Sequence, residues 1–132
     1  DAAALKRSIA IDPKAPLPYY HLSILQARQN RFGEAIPTIR KLLELDPENI
    51  GAWNNLGMMA LNSSQPELAK EAYAQSEKLA PDNAGALFGK LMALDMQGKG
   101  KPDNPDLQKA LKLFPDDARF EQIAERWGSA YK

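Results

Sequence analysis

Cysteine is absent from the 132 residues, which excludes disulfides and thiolate metal sites and leaves the redox compartment open. An excess of charge of either sign is missing as well. Seventeen basic side chains balance 17 acidic ones, so no net field draws the chain to nucleic acid or to an anionic membrane. No Lys/Arg block with interleaved aromatics occurs, and nucleic acid is not an expected partner. No apolar run approaches the roughly 20 residues that cross a bilayer, so direct membrane contact is not expected of this segment. A signal-peptide pattern is lacking, and the chain begins at Asp1 rather than Met. The expectation is a processed or excised part of a longer protein, with localisation unknown and cytoplasm and periplasm both open.

What the chain does have is a period. Pro13, Pro47, Pro81 and Pro115 are separated by steps of 34 residues. Each follows an apolar residue two places earlier (Ile11, Leu45, Leu79, Leu113) and precedes a charged one (Lys14, Glu48, Asp82, Asp116). A repeat of this length dictates architecture before any local feature does. Helical spacing of the apolar residues between the prolines predicts an array of helical hairpins, all-α, without one central core.

The period divides the chain at 1–15, 16–49, 50–83, 84–117 and 118–132. Residues 1–15 fall in the register of a second helix whose first-helix partner is missing from the sequence. That helix either caps the array or leaves an edge for upstream sequence or a second chain, which makes self-association through the N-terminal edge an alternative. Helices are expected over 16–29, 31–46, 50–62 and from Pro66 to Leu79, with Asn30 and Asn49 as N-caps. Ser64 and Glu67 have the spacing of a capping box. Pro37 lies inside a helix, where a bend is expected. Gly98 to Pro105 cannot remain helical, and its Gly/Lys content matches no nucleotide fingerprint. Phe120, Ile123, Ala124 and Trp127 form an i, i+3, i+4, i+7 stripe, the mark of an amphipathic C-terminal capping helix that Tyr131 extends.

Trp53-x-x-Leu56-Gly57, followed by Ala69, Tyr73 and Pro81, resembles the tetratricopeptide repeat pattern. Repeat 16–49 matches less tightly, with Tyr19, Leu22, Ser23, Ala35, Ile39 and Pro47 in those slots. In 84–117, Leu87, Leu91 and Pro115 fit, but Lys90 stands where Leu is usual and Asp103 where Ala is usual. There Gly89 is expected to take over the close helix contact. The resemblance implies a right-handed α-solenoid whose first helices line a concave groove. It also implies a non-catalytic module that binds a peptide or helix of a partner protein, without cofactor or metal.

In that register the groove residues are Tyr20, His21, Ile24 and Arg28 from one repeat, Asn54, Asn55 and Met58 from the next, and Phe88 and Met92 from the last. The bland alternative is that the apolar members are core. A side-chain amide bonds both N–H and C=O of an extended backbone, so Asn54 and Asn55 suit a peptide of any sequence. Asn55 falls where chaperone-binding members of the family place an Asn. Their cationic slots fall here on Tyr20, Gly85 and Gly89, and their other amide slot on Ile24. A carboxylate held without Lys or Arg loses its charge-assisted bonds, so a heat-shock-chaperone clamp is excluded, while Arg28 remains able to pair with one acidic group. His21, the only histidine, has no base, nucleophile or second ligand at helical spacing. The alternative function is a structural or self-associating scaffold segment of a larger assembly.

Overall fold

The computed structural model describes residues 1–130, with side chains described to residue 129. Tyr131, expected to extend the C-terminal contact surface, lies outside the described residues. Among the described residues the elements are all helices: α1 (Ala2–Ile11), α2 (Pro16–Arg28), α3 (Phe32–Leu45), α4 (Ile50–Asn62), α5 (Pro66–Leu79), α6 (Ala84–Met96), α7 (Pro105–Leu113) and α8 (Ala118–Ala130). They stack in order, each against its sequence neighbours, with α4 also touching α6. The fold is an all-α helical solenoid.

The starts of α2, α4, α6 and α8, at 16, 50, 84 and 118, keep the 34-residue step. Local chemistry explains the boundaries. The side chains of Asn49 and Asn83 accept the N–H groups of Ala52 and Ala86 at 3.0 and 3.3 Å, which satisfies first-turn donors that have no intrahelical partner. Pro16, Pro66 and Pro105 occupy first helical positions, where a missing N–H costs nothing. α3 runs as one helix through Pro37. Two aromatic donors 34 residues apart fasten each hairpin to the turn before it. Tyr19 Oη donates to the Pro13 carbonyl at 2.9 Å, and Trp53 Nε1 to that of Pro47 at 2.8 Å. The matching position in the third hairpin is Leu87, which has no donor, and Lys109 Nζ of α7 bonds Pro81 O at 3.1 Å instead.

Two expected caps do not form. Asn30 and Ser64 take φ of 60° and 58°, as does Gly98 at 68°, so the same left-handed turn closes each hairpin at the same step. Arg31 and Gln65 take the N-cap positions without side-chain bonds, and Glu67 bonds Gln97 and pairs with Lys70 rather than reaching back. The turn geometry overrides capping because a residue cannot hold φ near +60° and the extended N-cap conformation together. A Cβ in this region is strained, so Ser64→Gly should stabilise the chain by about 0.5–1 kcal/mol in urea titrations, with no change in helix content.

The interior runs as three successive clusters. Tyr19, Ile39, Leu42, Leu56 and Met59 anchor the first, and Ala60, Ala69, Tyr73, Ala86 and Ala93 the second. Leu87, Leu91, Leu107, Phe120, Ile123 and Trp127 form the third. Trp53 is only half-buried and packs against the first cluster from its edge.

The irregular third hairpin is explained by its departures from the pattern. Lys90 is half-buried between Glu77 of α5 at 3.1 Å and Asp106 of α7 at 3.0 Å, so a three-helix ion cluster replaces the usual leucine contact. Burial works against the Lys90 charge, but the bonds to Asp106 and Glu77 outweigh it and hold its pKa above the ordinary lysine value. Asp103 needs no close crossing, because it lies in an exposed turn before α7 begins. Gly100 lies flat against the Trp127 indole, too close for any Cβ. Trp127 Nε1 donates to Asp95 Oδ1 at 2.8 Å and Arg126 pairs with its Oδ2 at 3.1 Å, which ties α8 to α6.

Candidate functional site

The first helices of the hairpins, α2, α4 and α6, follow one another in the stack, and their polar and exposed residues fall on one face. Tyr20, Ile24, Asn54 and Asn55 are half-buried there; His21 and Arg28 are exposed, and Met58 is 52% exposed. The wide exposure of Met58 on an otherwise packed helix decides against a purely core role for it. His21 meets Tyr20 edge-on at 5.7 Å. Asn55 Nδ2 approaches Tyr20 Oη at 3.5 Å, at the limit of a hydrogen bond. Asn54 Oδ1 is buried without a partner.

Two cavities open along α2 and α4. One, of about 430 Å³, lies at their N-terminal ends and is lined by Pro16, Leu17, Tyr20, Leu42, Asp46, Asn49 and Gly51. The other, of about 270 Å³, lies toward their C-terminal ends against Ile24, Ala27, Arg28, Asn30, Phe32, Asn55, Met58, Met59 and Asn62. Tyr20 belongs to the first and Asn55 to the second, so their contact is the divide. Each cavity has an apolar floor and a few amide or charged groups at its lip, the composition of a peptide side-chain pocket.

Five of the nine expected groove residues, Tyr20, Ile24, Arg28, Asn55 and Met58, line these two cavities; His21 is exposed beside Tyr20, and Asn54 lines neither cavity. Phe88 and Met92 do not join them. Phe88 meets Phe120 of α8 edge-on at 6.2 Å and lies under the Arg119 guanidinium at 4.7 Å. Met92 packs into the same cluster, and the two residues line a separate cleft of about 190 Å³ with Arg119, Gln122, Ile123 and Arg126. The reason is α8: it occupies the place of a further first helix, and its apolar stripe needs Phe88 as a partner.

Sequence reasoning missed Asp46, Asn30 and Phe32 as lining residues. Asp46 and Asn30 read as junction residues, and nothing in the spacing sends Phe32 toward α4. It missed as well a cleft of about 370 Å³ between α3 and α5, where Arg40, Glu44 and Glu71 surround Trp53, Leu43 and Leu68. Among the described residues no three His, Cys, Asp or Glu side chains converge, and no helix is long and apolar enough to cross a membrane.

Two family models, both described as tetratricopeptide repeat, match residues 18–49 and 38–71. Tetratricopeptide repeat protein 37 of Xenopus laevis is 27% identical over 110 residues, covering 80% of this chain. The chain spans only 7% of the length of that relative. A solved double mutant of MamA RS-1 superimposes with a TM-score of 0.88 at 23% identity over 98% of this chain and 73% of that one. MamA 41-end from Desulfovibrio magneticus RS-1 gives 0.85 at 24% identity over the same shares, 98% and 73%. YrrB, described as a TPR protein with an unusual peptide-binding site, gives 0.74 at 21% identity over 94% of this chain and 64% of that one. At these identities the solved structures establish the fold.

Proposed function

Since the chain belongs to the tetratricopeptide repeat family, we propose that it is a non-catalytic interaction module that holds an extended or helical segment of a partner protein along α2 and α4. One observation carries this reading: two largely apolar cavities meet at the Tyr20–Asn55 contact, with Met58 left 52% exposed in the C-terminal one. Apolar side chains of the segment enter the cavities, and its backbone bonds the amides. Asn55, which lines the C-terminal cavity, supplies a side-chain amide that can both donate to and accept from the segment's backbone. YrrB, of the same fold, is itself described as having a peptide-binding site, which supports the reading without fixing the ligand.

The tagged chain should recover a partner segment that Met58→Glu and Asn55→Ala release, Met58→Glu by about tenfold or more because it puts a charge into an apolar pocket. Circular dichroism melts should be unchanged within about 0.5 kcal/mol, since both positions are on the free face. Equal recovery by the variants removes this face from consideration. The second reading, a self-associating scaffold segment, rests on α1, in which no residue is buried and Ile11 is 85% exposed. A molecular mass by light scattering that rises with concentration and falls in Ile11→Lys would favour it.

A further inference from the structure

We propose that the segment held along α2 and α4 is a dipolar one, about six extended residues long, with a basic residue at the Asp46 end and an acidic residue at the Arg28 end. The inference rests on the groove reading above and adds the ligand's charge order. Asp46 stands at the lip of the N-terminal cavity and Arg28 at the lip of the C-terminal one. Asp46 accepts a bond from Asn49 Nδ2 at 3.3 Å through one carboxylate oxygen. Neither Asp46 nor Arg28 takes part in an ion pair among the described residues, although seven other pairs form. Two free charges of opposite sign thus bracket two apolar pockets.

The helix dipoles of α2 and α4 point the other way, positive at the Asp46 end. α3 runs antiparallel behind them and cancels part of that field, and each dipole end amounts to only about half a charge against the full charges of Asp46 and Arg28. The side chains therefore set the polarity of the groove.

Geometry fixes the length. From Leu17 to Arg28 the helix rises about 16 Å at 1.5 Å per residue. An extended peptide in the polyproline II conformation, at about 3.1 Å per residue, covers that in five to six residues. The pockets, centred near Leu17 and Ile24, are about 10 Å apart on the same scale, which matches apolar side chains three positions apart, and in a polyproline II segment with three residues per turn these lie on the same side. A segment of the form charged–apolar–x–x–apolar–charged satisfies both measures. Its central peptide groups cross the Tyr20–Asn55 divide, within reach of the Asn55 amide.

Fluorescence anisotropy with four end-blocked, fluorescein-labelled hexapeptides tests this. All share the core Leu-Ala-Ser-Leu; the flanking pairs are Lys/Glu, Glu/Lys, Lys/Lys and Glu/Glu. One of the two dipolar peptides should bind about tenfold tighter than either uniformly charged one, the worth of a charge-assisted pair gained and a like-charge contact avoided. Which of the two binds reports the direction of the chain in the groove. In Arg28→Glu both lips are acidic, and preference should pass to the Lys/Lys peptide. Equal affinities for all four peptides overturn the proposal. So does no binding by any of them, or an unchanged ranking in Arg28→Glu. If all four bind equally and Met58→Glu abolishes binding, the charge order falls while the groove stands. Binding indifferent to both substitutions removes the two together.

Discussion

Gly89→Ala should destabilise the chain by about 2–3 kcal/mol in urea unfolding, the reverse of the roughly 1 kcal/mol gain that Gly→Ala gives inside an ordinary helix. The inverted sign follows from Tyr73. Its ring lies between two helices, with Gly57 of α4 on one side and Gly89 of α6 on the other. A Cβ at Gly57 would come within 2.5 Å of the ring, and one at Gly89 would collide with it as well. The ring is 7% exposed and has no free direction in which to retreat. Truncating it should therefore relieve the clash: in a Tyr73→Ala background the cost of Gly89→Ala should vanish and give way to the ordinary helical gain, a coupling that a double-mutant cycle reads directly. A Gly89→Ala chain as stable as the parent would show that α6 does not approach α5 this closely.

The same ring gives a pH dependence. Burial pushes the Tyr73 phenol up to about 12, above the roughly 10 of an unfolded tyrosine. The folded state then holds its proton over a range in which the unfolded state has lost it. Stability from this group is complete below about pH 10 and is lost as pH rises towards 12. The loss should amount to roughly 1–2 kcal/mol once solvent screening at the ring edge is allowed for. Tyr73→Phe should remove that part of the alkaline decline in urea titrations between pH 9 and 12.

Phe120→Ala should cost about 3–5 kcal/mol, the range for truncating a buried aromatic. Phe120 is fully buried, stacked on Phe114 with centroids 5.9 Å apart and edge-on to Phe88, so its removal opens the contact that joins α6, α7 and α8. Because neighbouring units in a solenoid stabilise one another only locally, hydrogen exchange should accelerate first across α6 to α8 and last in α3 and α4. Uniform acceleration along the chain would contradict the three separate clusters. Met58→Ala, at a 52% exposed position, is the control and should change stability by less than about 0.5 kcal/mol.

Much of this was readable in the residues alone. Prolines at one step, apolar stripes between them and Asn49 mark helix ends, because each acts on its own neighbourhood through a backbone hydrogen bond or its absence. The failures have physical causes too. Asn and Ser serve both as N-caps and as left-handed turn residues, so Asn30 and Ser64 could not be assigned from type alone. Lys90 looked like a packing fault until α5 and α7 were seen to bring Glu77 and Asp106 to it. Register also assigned Phe88 and Met92 to the same face as Ile24 and Met58, yet register carries no information about what lies opposite a face.

By itself the sequence determined the period and the all-helical class, since these depend on spacing along one chain; for the outer face of α2 and α4 it offered only an expectation. Which side chains stay open on that face was decided only by tertiary structure. α8 covers Phe88 and Met92 but leaves Met58 bare, and Tyr73 closes between two glycines 32 positions apart. Those outcomes depend on distances between helices, and such distances are set by the packing of all of them together.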